Sequence, residues 1–113
     1  MSIDVQPGDW LNSLTSDERK QVPLWTALFG YFPDAMAALA RHAYLSNEKH
    51  NPGQKVHWAR EKSKDHEDCA MRHLASLGKR DTDGQRHAFG LLWRAAAIAQ
   101  LEIEDALRKG EPV

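Results

Sequence analysis

The stretch Glu61–Arg94, EKSKDHEDCAMRHLASLGKRDTDGQRHAFGLLWR, places a short charged turn between two apolar helical patterns. At 3.6 residues per turn, a helix from Ser63 or Lys64 to about Leu77 gathers Ala70, Met71, Leu74, Ala75 and Leu77 on one side. The other side carries Asp65, Asp68 and Arg72 at i, i+3 and i+7, with His66, Cys69 and His73 alongside. Gly78 stops this helix, and Asp81 and Asp83 fall in the DTDG turn. Arg86, His87, Gly90 and Arg94 then share one side of the following helix, so a helical hairpin collects the charged and imidazole groups at one end.

Outward from this hairpin the chain reads as all-α. The last helix is expected from Asp83 or Gly84 to about Lys109, with Asp83 as cap and Lys109-Gly110 and Pro112 as stop. Phe89, Leu92, Ala96, Ala99, Ile103 and Ala106 repeat along it, and Leu91, Ala95 and Ile98 widen the stripe enough for two contacts. Pro33 and Asp34 suit the start of a helix reaching about Lys49, with Met36, Leu39, Ala40 and Ala43 buried and His42 at the surface. The cluster Leu24, Trp25, Leu28, Phe29, Tyr31 and Phe32 reads as core. Trp10, Leu11 and Leu14 make a short turn ending at Ser16 or Asp17, and residues 1–9 read as a flexible leader. The expectation is a single domain over residues 10–113: a compact bundle of three to four helices, completed by oligomerisation into a dimer or tetramer.

Composition narrows the function classes. A net charge of −1 over 113 residues argues against a uniformly basic surface and hence against polymeric nucleic acid as partner. The single cysteine, Cys69, forms no internal disulfide, and no apolar run of membrane-spanning length or signal peptide is evident, so the cytoplasm is the expected location. Asn51-Pro52-Gly53 is a turn, and Asn47, His50, Asn51, His57 and Trp58 around it are residue types that read a base or ribose as well as build a loop. His73 and His87 lack the close His-x-x-x-His or Cys-x-x-Cys spacing of familiar zinc motifs, which favours orienting hydrogen bonds over zinc.

The ordered set RKQVPLW, YFPDAMAALA, NEKHNPGQKVHW and KSKDHEDCAMRHLASLGKRDTDGQRHAFGLLWRA resembles small phage-encoded dATP/dGTP diphosphohydrolases, relatives of the MazG-like all-α nucleotide pyrophosphohydrolases. The resemblance spans about Arg19 to Glu104. It implies a homo-oligomer in the host cytoplasm that uses Mg²⁺ or Mn²⁺ to cleave a purine (d)NTP to (d)NMP and pyrophosphate. Under it Asp65, Asp68 and Asp81 are metal ligands and Asp65, Asp68 and His73 the catalytic groups. Lys62, Arg72, Arg86 and His87 would hold phosphate, and Asn47, His50, Asn51 and Trp58 the nucleoside. The wider superfamily carries E-x-x-E followed by E-x-x-D, whereas here Asp65-x-x-Asp68 precedes Asp81-x-Asp83, and the literal Glu102-x-x-Asp105 lies late in the last helix. The alternative is a phage protein that binds or sequesters nucleotides or nucleotide signals without turnover. A purely structural adaptor would use the broad apolar stripe alone.

Overall fold

Residues 4–113 are described by a computed structural model, and they are all-α, with no strand among them. Two single turns, α1 (Asp9–Ser13) and α2 (Ser16–Arg19), precede a π-helical turn at Leu24–Phe29. Three longer helices follow: α3 (Pro33–His50), α4 (His66–Ala75) and α5 (His87–Lys109), with a 3₁₀ turn at Arg60–Lys62 in the loop between α3 and α4. α5 is the spine, contacted by α1, α3 and α4, while the π-turn packs on α3.

Local chemistry sets the boundaries. α2 is separate from α1 because Thr15 and Glu18 form a reciprocal capping box, Glu18 N–H to Thr15 Oγ1 and Thr15 N–H to Glu18 Oε1. Pro33 stands at the start of α3, where a missing N–H costs nothing. α4 begins later than the sequence pattern suggests, because Ser63 Oγ donates to Asp65 Oδ1 and Asp65 leaves helical geometry. α5 also begins late, at His87. Residues 80–86 close a tight loop in which Asp81 N–H donates to Gln85 O, Gly84 N–H to Asp81 O, and Asp83 Oδ1 accepts from Gln85 N–H. Gly84 holds φ +83 there, a conformation that a β-carbon would strain, so Asp83 caps a turn rather than the helix.

The interior differs from the expected one in three places. The aromatic cluster before α3 is not core: Trp25 is 80% exposed, Tyr31 69% and Phe32 54%. α4 faces the other way round from the apolar pattern, with His66 and Cys69 buried against α5 while Met71, Leu74, Ala75 and Leu77 face outward. The reason is steric and polar complementarity: α5 offers Gly90, which admits the His73 ring, and Arg94, which bonds His66. His42 is likewise half-buried rather than a surface residue, its Nδ1 donating to Gln85 Oε1 at 2.8 Å. On α3, Met36, Leu39 and Ala43 are partly covered and Ala40 is open.

The expected leader is partly packed, since Val5 is buried and Gln6 N–H donates to Asp9 Oδ2; residues 1–3 lie outside the described residues. None of the helices among the described residues is long and apolar enough to cross a membrane.

Candidate functional site

Two regions carry chemistry. The first is the junction where α4 ends and α5 begins. His73, in the last turn of α4, and His87, the first residue of α5, set their Nδ1 atoms 2.9 Å apart. Asp81, from the loop between them, places Oδ2 at 3.9 Å from His87 Nδ1. The three donor atoms lie within 4.8 Å of one another, and no other set of three His, Cys, Asp or Glu groups among the described residues converges in this way.

Each donor is positioned. The His73 ring lies directly over Gly90, so closely that a β-carbon there would fall 2.6 Å from Nε2 and 2.7 Å from Cε1. The position admits only glycine without movement, and the ring can present only Nδ1 towards His87. Burial first, then the nearby His87 imidazole, hold His73 below the usual histidine pKa against the pull of Asp81. Asp81 is held below the usual carboxylate range, chiefly because its Oδ1 accepts the Thr82 N–H, so it stays ionised at neutral pH.

The second region is an open cleft between α3 and α5 with a volume of ≈ 620 Å³. Leu39, Ala40 and Ala43 line one wall, Ala96 and Ala97 the other, and Trp58, Trp93 and Arg60 form its aromatic, cationic end. Trp58 meets Trp93 edge to face at 5.8 Å, and the Arg60 guanidinium sits 4.2 Å above the Trp58 ring. Arg60 is fixed from below by two bonds to the Glu104 carboxylate, which is 1% exposed and also accepts from Gln100 Nε2 at 2.7 Å. Arg60, more than burial, thereby keeps Glu104 ionised below its usual pKa. Behind Trp93, the buried His66 accepts from Arg94 Nη1 at 2.9 Å, and because a guanidinium only donates, this fixes the proton on the other nitrogen, Nε2.

The residues expected from sequence divide between these regions and elsewhere. Asp81, His73 and His87 come together; Asp65 and Asp68 do not join them. Asp65 is bound to Ser63, which lowers its pKa, and Asp68 is exposed with no hydrogen bond or ion pair among the described residues, not even the i, i+4 bridge to Arg72. Arg72 instead folds back on its own helix, Nη2 to Cys69 Sγ at 2.8 Å. Lys62 donates to Asn51 Oδ1, and Arg86, which precedes His87 in the chain, is exposed. Asn47 Nδ2 donates to Gln54 O and Asn51 bonds Gln54 and Lys62, so both hold the 51–54 turn, while Asn47 Oδ1 is buried without a partner among the described residues; His50 is exposed and Trp58 alone of that set lines the cleft.

The oxygen-rich ligand set that Mg²⁺ prefers is therefore not assembled by Asp65, Asp68 and Asp81. The sequence reading missed Arg60, Trp93, Gln100 and Glu104. A signal was present: Gly90, Ala97 and Glu104 fall at intervals of seven on α5, and an acid on such a line needs a buried cation. Comparison with protein-family models, curated proteins and solved structures finds no match to this chain.

Proposed function

We propose that the chain is a nucleoside triphosphate pyrophosphohydrolase of MazG-like type, acting on a purine (d)NTP such as dATP or dGTP. The observation that carries this reading is the aromatic cleft beside the imidazole junction. Its volume, ≈ 620 Å³, suits a nucleoside, and a base between Trp58 and the alanine walls would gain stacking and apolar burial. The helices α3 and α5 each contribute side chains to both regions. On α3, His42 bonds the junction loop while Leu39, Ala40 and Ala43 line the cleft; on α5, Trp93 is six residues, about 9 Å, beyond His87. In this reading a triphosphate extends from the cleft to Arg86 and the junction imidazoles, groups suited to binding phosphate oxygens, and His73, held below the usual histidine pKa, is suited to taking a proton from an attacking water. In that reaction water adds to the α-phosphorus, the α–β bridge breaks, and monophosphate and pyrophosphate leave.

The exposed apolar surface supports a homo-oligomer. Trp25, Tyr31 and Met71 are exposed, and so are Ala95, Ala96 and Ala99 of the α5 stripe. A second reading, nucleotide binding or sequestration without turnover, is favoured by the scattering of Asp65, Asp68 and Asp81. One experiment separates them: a panel of nucleoside triphosphates with and without Mg²⁺ or Mn²⁺, quantifying monophosphate and pyrophosphate, beside a binding titration on Trp58→Ala. Hydrolysis of dATP or dGTP is the expected result, with binding weakened about tenfold or more in the variant through loss of one base stack. Tight binding without products selects sequestration, and absence of both overturns the nucleotide reading.

A further inference from the structure

We infer that the α4–α5 junction is a binding site for a divalent transition-metal ion of the zinc or cobalt class, held by Nδ1 of His73, Nδ1 of His87 and a carboxylate oxygen of Asp81. This inference stands apart from the substrate assignment; it follows from the donors and their scaffold. Two imidazole nitrogens and one carboxylate oxygen form a mixed set that suits Zn²⁺, Co²⁺ and their neighbours and is poorly matched to Mg²⁺, which favours oxygens and retains its waters. Ligand atoms around an ion with bonds of about 2.0 to 2.2 Å lie roughly 3.0 to 3.6 Å apart. Two of the observed separations, 2.9 Å between the two nitrogens and 3.9 Å from His87 Nδ1 to Asp81 Oδ2, lie on either side of that range, and the third, from His73 to Asp81, is within 4.8 Å, so the Asp81 carboxylate would move inward on binding.

The scaffold makes a chance meeting a poor account. His73 sits against Gly90 at a distance no side chain would permit, with Nε2, Cε1 and Cδ2 nearest the glycine, which leaves Nδ1 as the nitrogen that meets His87. Asp81 is anchored through its own backbone N–H to Gln85 O, at 2.7 Å, and through Oδ1 to Thr82 N–H, which leaves Oδ2 for the ion. Gln85 in turn is tied to His42 on α3, so three helices brace one small loop. The absence of a familiar zinc spacing is no obstacle, because the ligands come from a helix end, a loop and a helix start. Only three protein ligands converge, so an ion here would keep open positions for water or a ligand oxygen.

The test uses the full chain, stripped with EDTA and titrated with CoCl₂ while visible absorption is followed, then back-titrated with ZnCl₂. One Co²⁺ per chain with a ligand-field band, displaced by Zn²⁺ but not by about a hundredfold excess of MgCl₂, is expected. His73→Ala, His87→Ala and Asp81→Asn should each weaken binding at least about tenfold at unchanged far-ultraviolet circular dichroism. Should a histidine variant fail to fold, Asp81→Asn carries the test, since that side chain is 39% exposed. No band, equal affinity in Asp81→Asn and wild type, or equal displacement by Mg²⁺ overturns the site. Metal binding without nucleotide hydrolysis upholds it and removes the pyrophosphohydrolase reading. Mg²⁺-supported hydrolysis by the unmodified chain, without Co²⁺ binding, does the reverse.

Discussion

Replacing Arg60 by leucine should destabilise the fold by about 3 kcal/mol, because it leaves a buried carboxylate without its main partner. Glu104 is 1% exposed and receives both Arg60 nitrogens; the remaining partners are Gln100 Nε2 at 2.7 Å and Arg108 Nη2 at 3.8 Å. Removing one member of a buried pair costs roughly 3 to 5 kcal/mol, and the lower end applies here because the Arg60 side chain is 33% exposed and two partners remain. Each 1.4 kcal/mol is a factor of ten, so the folding equilibrium constant falls roughly 150-fold. Urea unfolding at pH 7 measures it, with Glu104→Leu and the double variant completing a cycle. The pH dependence gives a second reading. Glu104 has a folded pKa below its usual value, so the stability it contributes is present above about pH 4.5 and is lost as pH falls through the folded pKa. The gap between Arg60→Leu and wild type should therefore narrow below pH 4.5. A loss under about 1 kcal/mol at pH 7, the range of a surface pair, would refute the reading that Arg60 and Glu104 behave as a buried pair between the α3–α4 loop and α5.

Gly90→Ala should cost about 1 to 3 kcal/mol, as overpacking does, and weaken Co²⁺ binding along with it, since the new methyl would displace the His73 ring; thermal unfolding and the visible band report the two effects. Met71→Lys, by contrast, should leave the monomer's stability within about 0.5 kcal/mol by urea unfolding, because Met71 is 63% exposed despite its place in an apolar pattern. Cys69 is buried between α4 and α5, so an aromatic disulfide reagent should label it slowly in buffer and rapidly once urea unfolds the chain; fast labelling in buffer would contradict the packing.

The helical class, α3 almost to the residue, and the gathering of Asp81, His73 and His87 at one end of a hairpin were legible in the sequence. Period and punctuation encode them directly: Pro33, Gly84 and Gly110 mark where chains turn or helices start and stop. The rotation of α4 was not legible. Hydrophobicity assigns Met71, Leu74 and Leu77 to the inside, but Gly90 on the partner helix opens a space that the His73 ring fills, and Arg94 brings a guanidinium to satisfy His66. That choice depends on two helices at once, and a pattern along one of them does not contain it. The same holds for Arg60, whose role appears only when Glu104, forty-four residues away, is placed beneath it. Asp65 and Asp68 failed to join Asp81 for a related reason, since spacing along α4 fixes which groups are neighbours on that helix and not which face meets the loop.

The edge-to-face contact of Trp58 and Trp93 also supplies a built-in optical signal. Two indoles at 5.8 Å and 79° couple their transitions, and one belongs to the loop while the other belongs to α5. Near-ultraviolet circular dichroism should therefore carry a band that vanishes when the loop lifts from the helix, even while all helices persist. Trp25 reports separately: at 80% exposure its emission is open to quenching by iodide, and protection of that emission with rising concentration would mark the association of chains. An unlabelled sample thus distinguishes loop seating from self-assembly by colour alone.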